Sequence, residues 1–179
     1  VSLSSDGSVI AIGGPAFRGN QYTSYQGNRP NGYVRIYKYV NNSWTKVGAD
    51  INGDATGDES GYSVSLSSDG SIVAIGAPYN DGNGNDSGHV RIYQNVNDSW
   101  TQVGSDLEGE ANSDQSGYSV SLSADGSVVA IGARYNSGKF GHVRIYKNVN
   151  NTWTQIGSDI DGEAYKNLMG TSVSLSSDG

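Results

Sequence analysis

The 179-residue sequence has no cysteine, 3 prolines and a single methionine. Without thiols there is no disulfide framework, no thiolate metal site and no cysteine nucleophile. No apolar run approaches the roughly 20 residues of a membrane-spanning helix, and no basic-then-apolar leader opens the chain; a signal peptide or anchor is expected only outside this sequence. Charge is scarce too: charged residues make up 16%, and 18 acidic against 11 basic side chains give a formal net charge of -7. Phosphate backbones are bound by clustered Lys and Arg, so nucleic acid is not an expected partner.

What is plentiful is turn chemistry, led by 26 glycines. Gly, Asn and Asp tolerate positive φ, while Val, Ile, Tyr, Trp and Thr suit a pleated, half-buried surface. This inventory predicts many short strands and hardly any helix.

The chain repeats itself. The phrase V-S-L-S-[SA]-D-G begins at Val1, Val64, Val120 and Val173, with periods of 63, 56 and 53 residues. S-[VI]-[IV]-A-I-G-[GA]-[PR] follows at 8–15, 71–78 and 127–134, then G-[YH]-V-R-I-Y from Gly32, Gly88 and Gly141, then W-T-[KQ]-[VI]-G-[AS]-D-[IL] from Trp44, Trp100 and Trp153. Each phrase reads as a strand. V-S-L-S and V-R-I-Y alternate and have one buried face, whereas V-V-A-I is a continuous apolar run, as in a strand covered on both faces. Asp-Gly joins the first pair of phrases and V-N-[ND]-[ST] the second, so both pairs are hairpins.

Only one connection changes length. Between the second and third strands lie 16 residues after Pro15, 9 after Pro78 and 6 after Arg134, while the span from Gly32, Gly88 or Gly141 to the next Val is 32 residues each time. In an up-and-down unit this connection shares an edge with the strand-four-to-one connection, so one edge is variable and the other fixed. The expected fold is all-β, a β-propeller-type array of four-stranded antiparallel blades. Repeats are expected at 1–63, 64–119 and 120–172, with 173–179 the first strand of a further unit in one continuous array.

Gly61-Tyr62-Ser63-Val64 through Ala74-Ile75-Gly76-Ala77-Pro78 resembles an FG-GAP repeat, the blade unit of integrin α-subunit propellers and of many secreted surface proteins, with Tyr62 where that family has Phe. The pattern recurs at Gly117-Tyr118 to Arg134 and in part at Gly13-Gly14-Pro15. The resemblance implies an extracellular or cell-surface adhesion and recognition scaffold that binds protein or glycan. A structural subunit of a filament or sheath, with further copies of itself as partners, is the alternative; an enzyme with a channel active site is the third reading. The resemblance also implies a calcium loop D-x-D-x-D-G between the first two strands. Here that turn holds one Asp, and a single carboxylate does not supply the six to eight oxygens calcium takes, so no cofactor is expected there.

Phe17, Arg18, Tyr22, Tyr25 and Arg29 occur in the first long connection and in no other unit, and Tyr and Arg are enriched at binding hot spots; they are the expected ligand-binding loop, the bland alternative being a disordered or self-packed insertion. Asp81, Asn83 and Asn85 alternate as a calcium loop starts, but no Glu closes the motif, and the plainer reading is an Asn/Gly turn. Acidic residues recur in the strand-four-to-one connections at Asp50, Asp54, Asp58 and Glu59, at Asp106, Glu108, Glu110 and Asp114, and at Asp159, Asp161 and Glu163. They read as a solvated acidic rim, with divalent-cation bridging as the rival.

His89 and His142 share a repeat position with Tyr33, which predicts a half-buried strand residue. No His/carboxylate constellation is expected from side chains that merely repeat, so no catalytic residue is assigned and the chain is not expected to be an enzyme. The repeating Trp and Tyr are expected to pack blade against blade. Asn41, Asn97 and Asn150 each start an N-x-[ST] sequon at the third-to-fourth-strand turn and Asn85 starts another, so these four are the glycosylation candidates.

Overall fold

The computed structural model describes residues 1–16, 31–135 and 140–179. Among these there is no helix, and fifteen strands form three antiparallel sheets. The first sheet comprises β1 (Ser2–Leu3), β2 (Val9–Gly14), β3 (Tyr33–Val40), β4 (Ser43–Lys46) and β5 (Ile51–Asn52). The second comprises β6 (Ser63–Leu66), β7 (Ile72–Ala77), β8 (His89–Val96), β9 (Ser99–Gln102) and β10 (Leu107–Glu108). The third comprises β11 (Ser116–Leu122), β12 (Val128–Ala133), β13 (His142–Val149), β14 (Thr152–Gln155) and β15 (Ile160–Asp161). Each sheet is a blade of four strands in sequential order, with a fifth, two-residue strand paired to the third.

The two hairpins close differently. At Asn41-Asn42, Asn97-Asp98 and Asn150-Asn151 both central residues have φ between 51° and 63°, as a two-residue type I′ turn requires. At the Asp-Gly turns only the glycine is left-handed, and the Asp works through its side chain. Asp6 accepts from the Ser8 N–H at 2.9 Å and from the hydroxyls of Ser4 and Ser8, and these bonds hold its pKa down at about 2. Asp69 and Asp125 do the same in their blades. These carboxylates are committed to Ser hydroxyls and backbone N–H groups, a donor set that does not fit a calcium ion.

The core lies between blades. One cluster joins Val9, Ala11, Val34, Ile36 and Ile51 to Leu66, Val73 and Ile75; a second joins Ala74, Val90, Ile92 and Leu107 to Val120, Leu122, Val129 and Ile131. Strand β7 thus sends Val73 and Ile75 to one side and Ala74 to the other, which is why its run is unbroken. Burial of each Val, Leu or Ile contributes about 1.5–3 kcal/mol.

Three small devices fix how blades meet. The serine of V-S-L-S, which alternation assigns to a polar face, accepts from the backbone of the next blade: Ser2 Oγ from Leu66 N–H at 2.9 Å, Ser65 Oγ from Leu122 N–H at 3.0 Å and Ser121 Oγ from Leu175 N–H at 3.0 Å. Trp100 Nε1 donates to the Val47 carbonyl of the preceding blade at 3.0 Å, and Trp153 Nε1 to Val103 at 2.9 Å. The glycine of A-I-G lets backbones touch, since a Cβ on Gly76 would lie 2.1 Å from the Gly117 carbonyl oxygen and one on Gly132 2.0 Å from that of Gly170.

Candidate functional site

The short strands β5, β10 and β15 decide what the variable edge looks like. Pairing of Leu107 with Val90 and of Glu108 with His89 draws the acidic connection back onto the start of the third strand, as Ile160 and Asp161 do on Val143 and His142. Acids spaced along a flexible-looking connection are thereby held beside the His and Arg of H-V-R-I-Y.

An ion-pair ladder results. Asp50 accepts from Arg35 Nε at 3.0 Å and pairs with Lys46, which lowers its pKa to about 2. Arg91 donates from Nε to Asp106 at 2.9 Å and from Nη1 to Asp54 of the preceding blade at 2.6 Å. Arg144 is buried, donates from Nη2 to the Glu108 carbonyl at 2.8 Å and lies 3.6 Å from Glu110. Asp58 and Asp114 are buried: Asp58 accepts from Ala55 N–H and Asn80 Nδ2, and Asp114 accepts from the N–H groups of Glu110 and Ala111. The expectation of a solvated acidic rim is corrected in part: Asp50, Asp54 and Asp106 neutralise arginines and Asp58 and Asp114 tie turns, while Glu110, Asp161 and Glu163 stay exposed.

The histidines require a second correction. His89 is 3% and His142 1% exposed, so neither is half-buried. Each also sits in a His/carboxylate cluster, His89 with Asp106 and Glu108, and His142 with Asp159 and Glu110, the ligand atoms within 4.8 Å of one another. The expectation that repeating side chains assemble no such constellation fails because the two-residue strands fold the acidic connection back onto the histidine of its own blade, and for His142 also because Glu110 arrives from the neighbouring blade. Burial pushes both imidazoles below their ordinary pKa, and the adjacent Arg91 and Arg144 push the same way.

Nearer the first strands, sequence reasoning missed an aromatic group. Tyr62 and Tyr118 lie 4.8 Å apart between ring centroids, and Tyr79 meets Tyr62 edge-on at 6.4 Å. Arg134, which replaces the Pro of the motif, stacks 3.9 Å over Tyr118 and 4.6 Å over Tyr135 and donates to Gln115 at 2.7 Å. Burial and the hydrogen bond with Tyr118 raise the pKa of the Tyr62 phenol. The signal was present in the sequence: Tyr at two of the three motif starts, 62 and 118, with Thr171 at the last, and Arg where the other units have Pro.

Phe17, Arg18, Tyr22, Tyr25 and Arg29 lie outside the described residues. In the second unit, Asp81 accepts from Asp86 N–H at 2.8 Å, and Asn83 donates to the carbonyls of Gly109 and Glu110 at 2.8 and 3.3 Å. Asn41, Asn97 and Asn150 are exposed at the opposite edge, and Asn85 is exposed on the variable one.

Fold and site together define a stretch of β-propeller. Residues 51–93 match the FG-GAP repeat, so the chain carries the blade motif that its sequence resembles. No curated protein matches the chain in sequence. Among solved structures, a candidate 6-phosphogluconolactonase from Bacteroides fragilis superposes with a TM-score of 0.57 at 17% identity, over 90% of this chain and 38% of its own. Hydrazine synthase from Kuenenia stuttgartiensis gives 0.58 at 13% identity, over 99% of this chain and 38% of its own. The chain thus spans well under half the length of either structure, and the likeness is one of fold.

The expectation that the chain is not an enzyme is corrected here. The fold is shared with a structure bearing an enzyme's name, and the His/carboxylate groupings on which that expectation turned are present.

Proposed function

We propose that this propeller segment is an extracellular recognition scaffold whose variable edge binds a protein or glycan. The observation that carries the reading is the division of labour between edges. Two-residue turns of fixed length close one edge, while all length variation falls on the edge that also carries Tyr62, Tyr79, Tyr118, Tyr135 and Arg134. Stacked Tyr and Arg offer large contact area at little entropic cost, and sugars and peptides both use such faces. In this reading Asn41, Asn97 and Asn150 carry glycans on the fixed edge and leave the binding edge clear.

Screening the chain against immobilised cell-surface glycans and matrix proteins tests this. A ligand whose binding drops on Tyr118→Ala and Arg134→Ala but survives Asn97→Gln supports the reading; a ligand indifferent to the first two and lost with the third defeats it.

The filament is a second reading, raised by one observation: the Leu-to-Ser hydrogen bond recurs as the same heterologous contact at each described blade junction, and such a contact builds a ring where the rotation per blade closes and a filament where it does not. Concentration-dependent light scattering with fibres in the electron microscope would favour it over the scaffold.

A further inference from the structure

We propose that Glu110, His142 and Asp159 form a binding site for a borderline divalent metal ion of the zinc class at the junction of the second and third blades. Such a site goes beyond the recognition reading and stands whether or not the variable edge binds a protein or glycan.

His142 is 1% exposed, and neither of its ring nitrogens has a hydrogen-bond partner. A buried imidazole normally secures at least one. Instead its Nδ1 is aimed between two carboxylates, 3.6 Å from Asp159 Oδ2 and 3.9 Å from Glu110 Oε2. A tetrahedral ion with ligands about 2.0–2.1 Å away holds its ligand atoms about 3.3 Å apart, so a small inward movement of Glu110, whose side chain is 47% exposed, completes three of four positions. Asp159 is already oriented, since its other oxygen accepts from Gln155 Nε2 at 2.6 Å. The fourth position falls to water.

The equivalent place one blade earlier shows why the third is different. There Arg91 binds both Asp106 and Asp54, the counterparts of Asp159 and Glu110, so a guanidinium already supplies the positive charge. In the third blade Arg144 spends Nη2 on the Glu108 carbonyl, stands off from Glu110 at 3.6 Å and leaves its Nε without a partner. Asp159, unlike its counterpart Asp106, takes no bond from the guanidinium of its blade and keeps an oxygen toward His142. An imidazole with two carboxylates suits zinc or cobalt, whereas calcium takes oxygen alone.

The test is titration of the whole, chelator-treated chain with Zn2+ by calorimetry and with Co2+ by visible absorption, with calcium in excess. The expected result is one ion per chain, a tetrahedral cobalt spectrum and no competition from calcium. Outer-shell changes alone weaken metal sites by about 10–100-fold, so Glu110→Gln and His142→Gln should each cost at least about tenfold in affinity, while His89→Gln leaves binding unchanged. Glu110 is exposed enough that its variant folds, and it carries the decision if His142→Gln does not. Absence of saturable binding, or binding undiminished by Glu110→Gln, overturns the site.

Discussion

Gly14 and Tyr33 face each other across β2 and β3, and a Cβ on Gly14 would lie 2.7 Å from the Tyr33 ring. In the other two blades the same pair is Ala77 with His89 and Ala133 with His142. The larger ring is matched by the smaller neighbour. Tyr33 is in turn capped by Arg35, whose guanidinium lies 4.6 Å from the ring centroid.

Gly14→Ala should therefore be less favourable beside Tyr33 than beside a His at that position, by about 1–3 kcal/mol, the usual cost of overpacking. The general gain from Ala over Gly in a strand enters both backgrounds and cancels. A double-mutant cycle of Gly14→Ala with Tyr33→His, read by urea unfolding, measures the coupling; additive effects would show that the two positions do not constrain one another.

At Gly76 the obstacle is backbone: the Gly117 carbonyl oxygen lies 2.1 Å from where an added methyl would stand, and backbone cannot rotate away. Gly76→Ala is expected to destabilise by about 3 kcal/mol or more, at the upper end of overpacking, by prising the second blade from the third. Chemical unfolding monitored by Trp153 fluorescence would report it.

Trp100→Phe keeps most of the ring but deletes the Nε1–H that serves the Val47 carbonyl at 3.0 Å. A loss of about 1 kcal/mol is expected, typical of one hydrogen bond. Trp44 is 46% exposed, and Trp44→Phe should cost less; equal costs at the two positions would point to the ring rather than the bond.

Burial lowers the folded-state pKa of His89 and His142. His89 is faced by Arg91, Asp106, Asp54 and Asp58, and His142 by Arg144, Asp159, Glu110 and Asp114. Above about pH 6.5 both folded and unfolded imidazoles are neutral and nothing is lost. As pH falls through that value the unfolded chain binds protons that the folded chain refuses, so metal-free stability should fall by at most about 1.4 kcal/mol per pH unit for each histidine. The loss levels off below the depressed folded pKa. The turn aspartates Asp6 and Asp125, also depressed, keep their contribution until pH drops below about 4, so the windows are distinct. Urea midpoints measured from about pH 7.5 to about pH 5, with His89→Gln flattening part of the slope, check this.

The sequence by itself determined whatever depends on neighbours along the chain. Asn-Asn and Asn-Asp select a left-handed two-residue turn, Asp-Gly-Ser ties its own loop, and A-I-G marks a strand covered twice. Those features act within a few residues, and copying them three times makes them conspicuous. The serine of V-S-L-S escapes such a reading, because alternation tells which residues share a face and not what lies opposite.

Only the tertiary structure decided what the blades do to one another. Glu110 and His142 belong to different units, and nothing local links them; they meet because β10 and β15 fold the acidic connections back onto the third strands while Ser121, Trp153 and Gly132 set the blade spacing. The sequence wrote the blade through short-range geometry. The packing of one blade on the next placed a buried imidazole between two carboxylates.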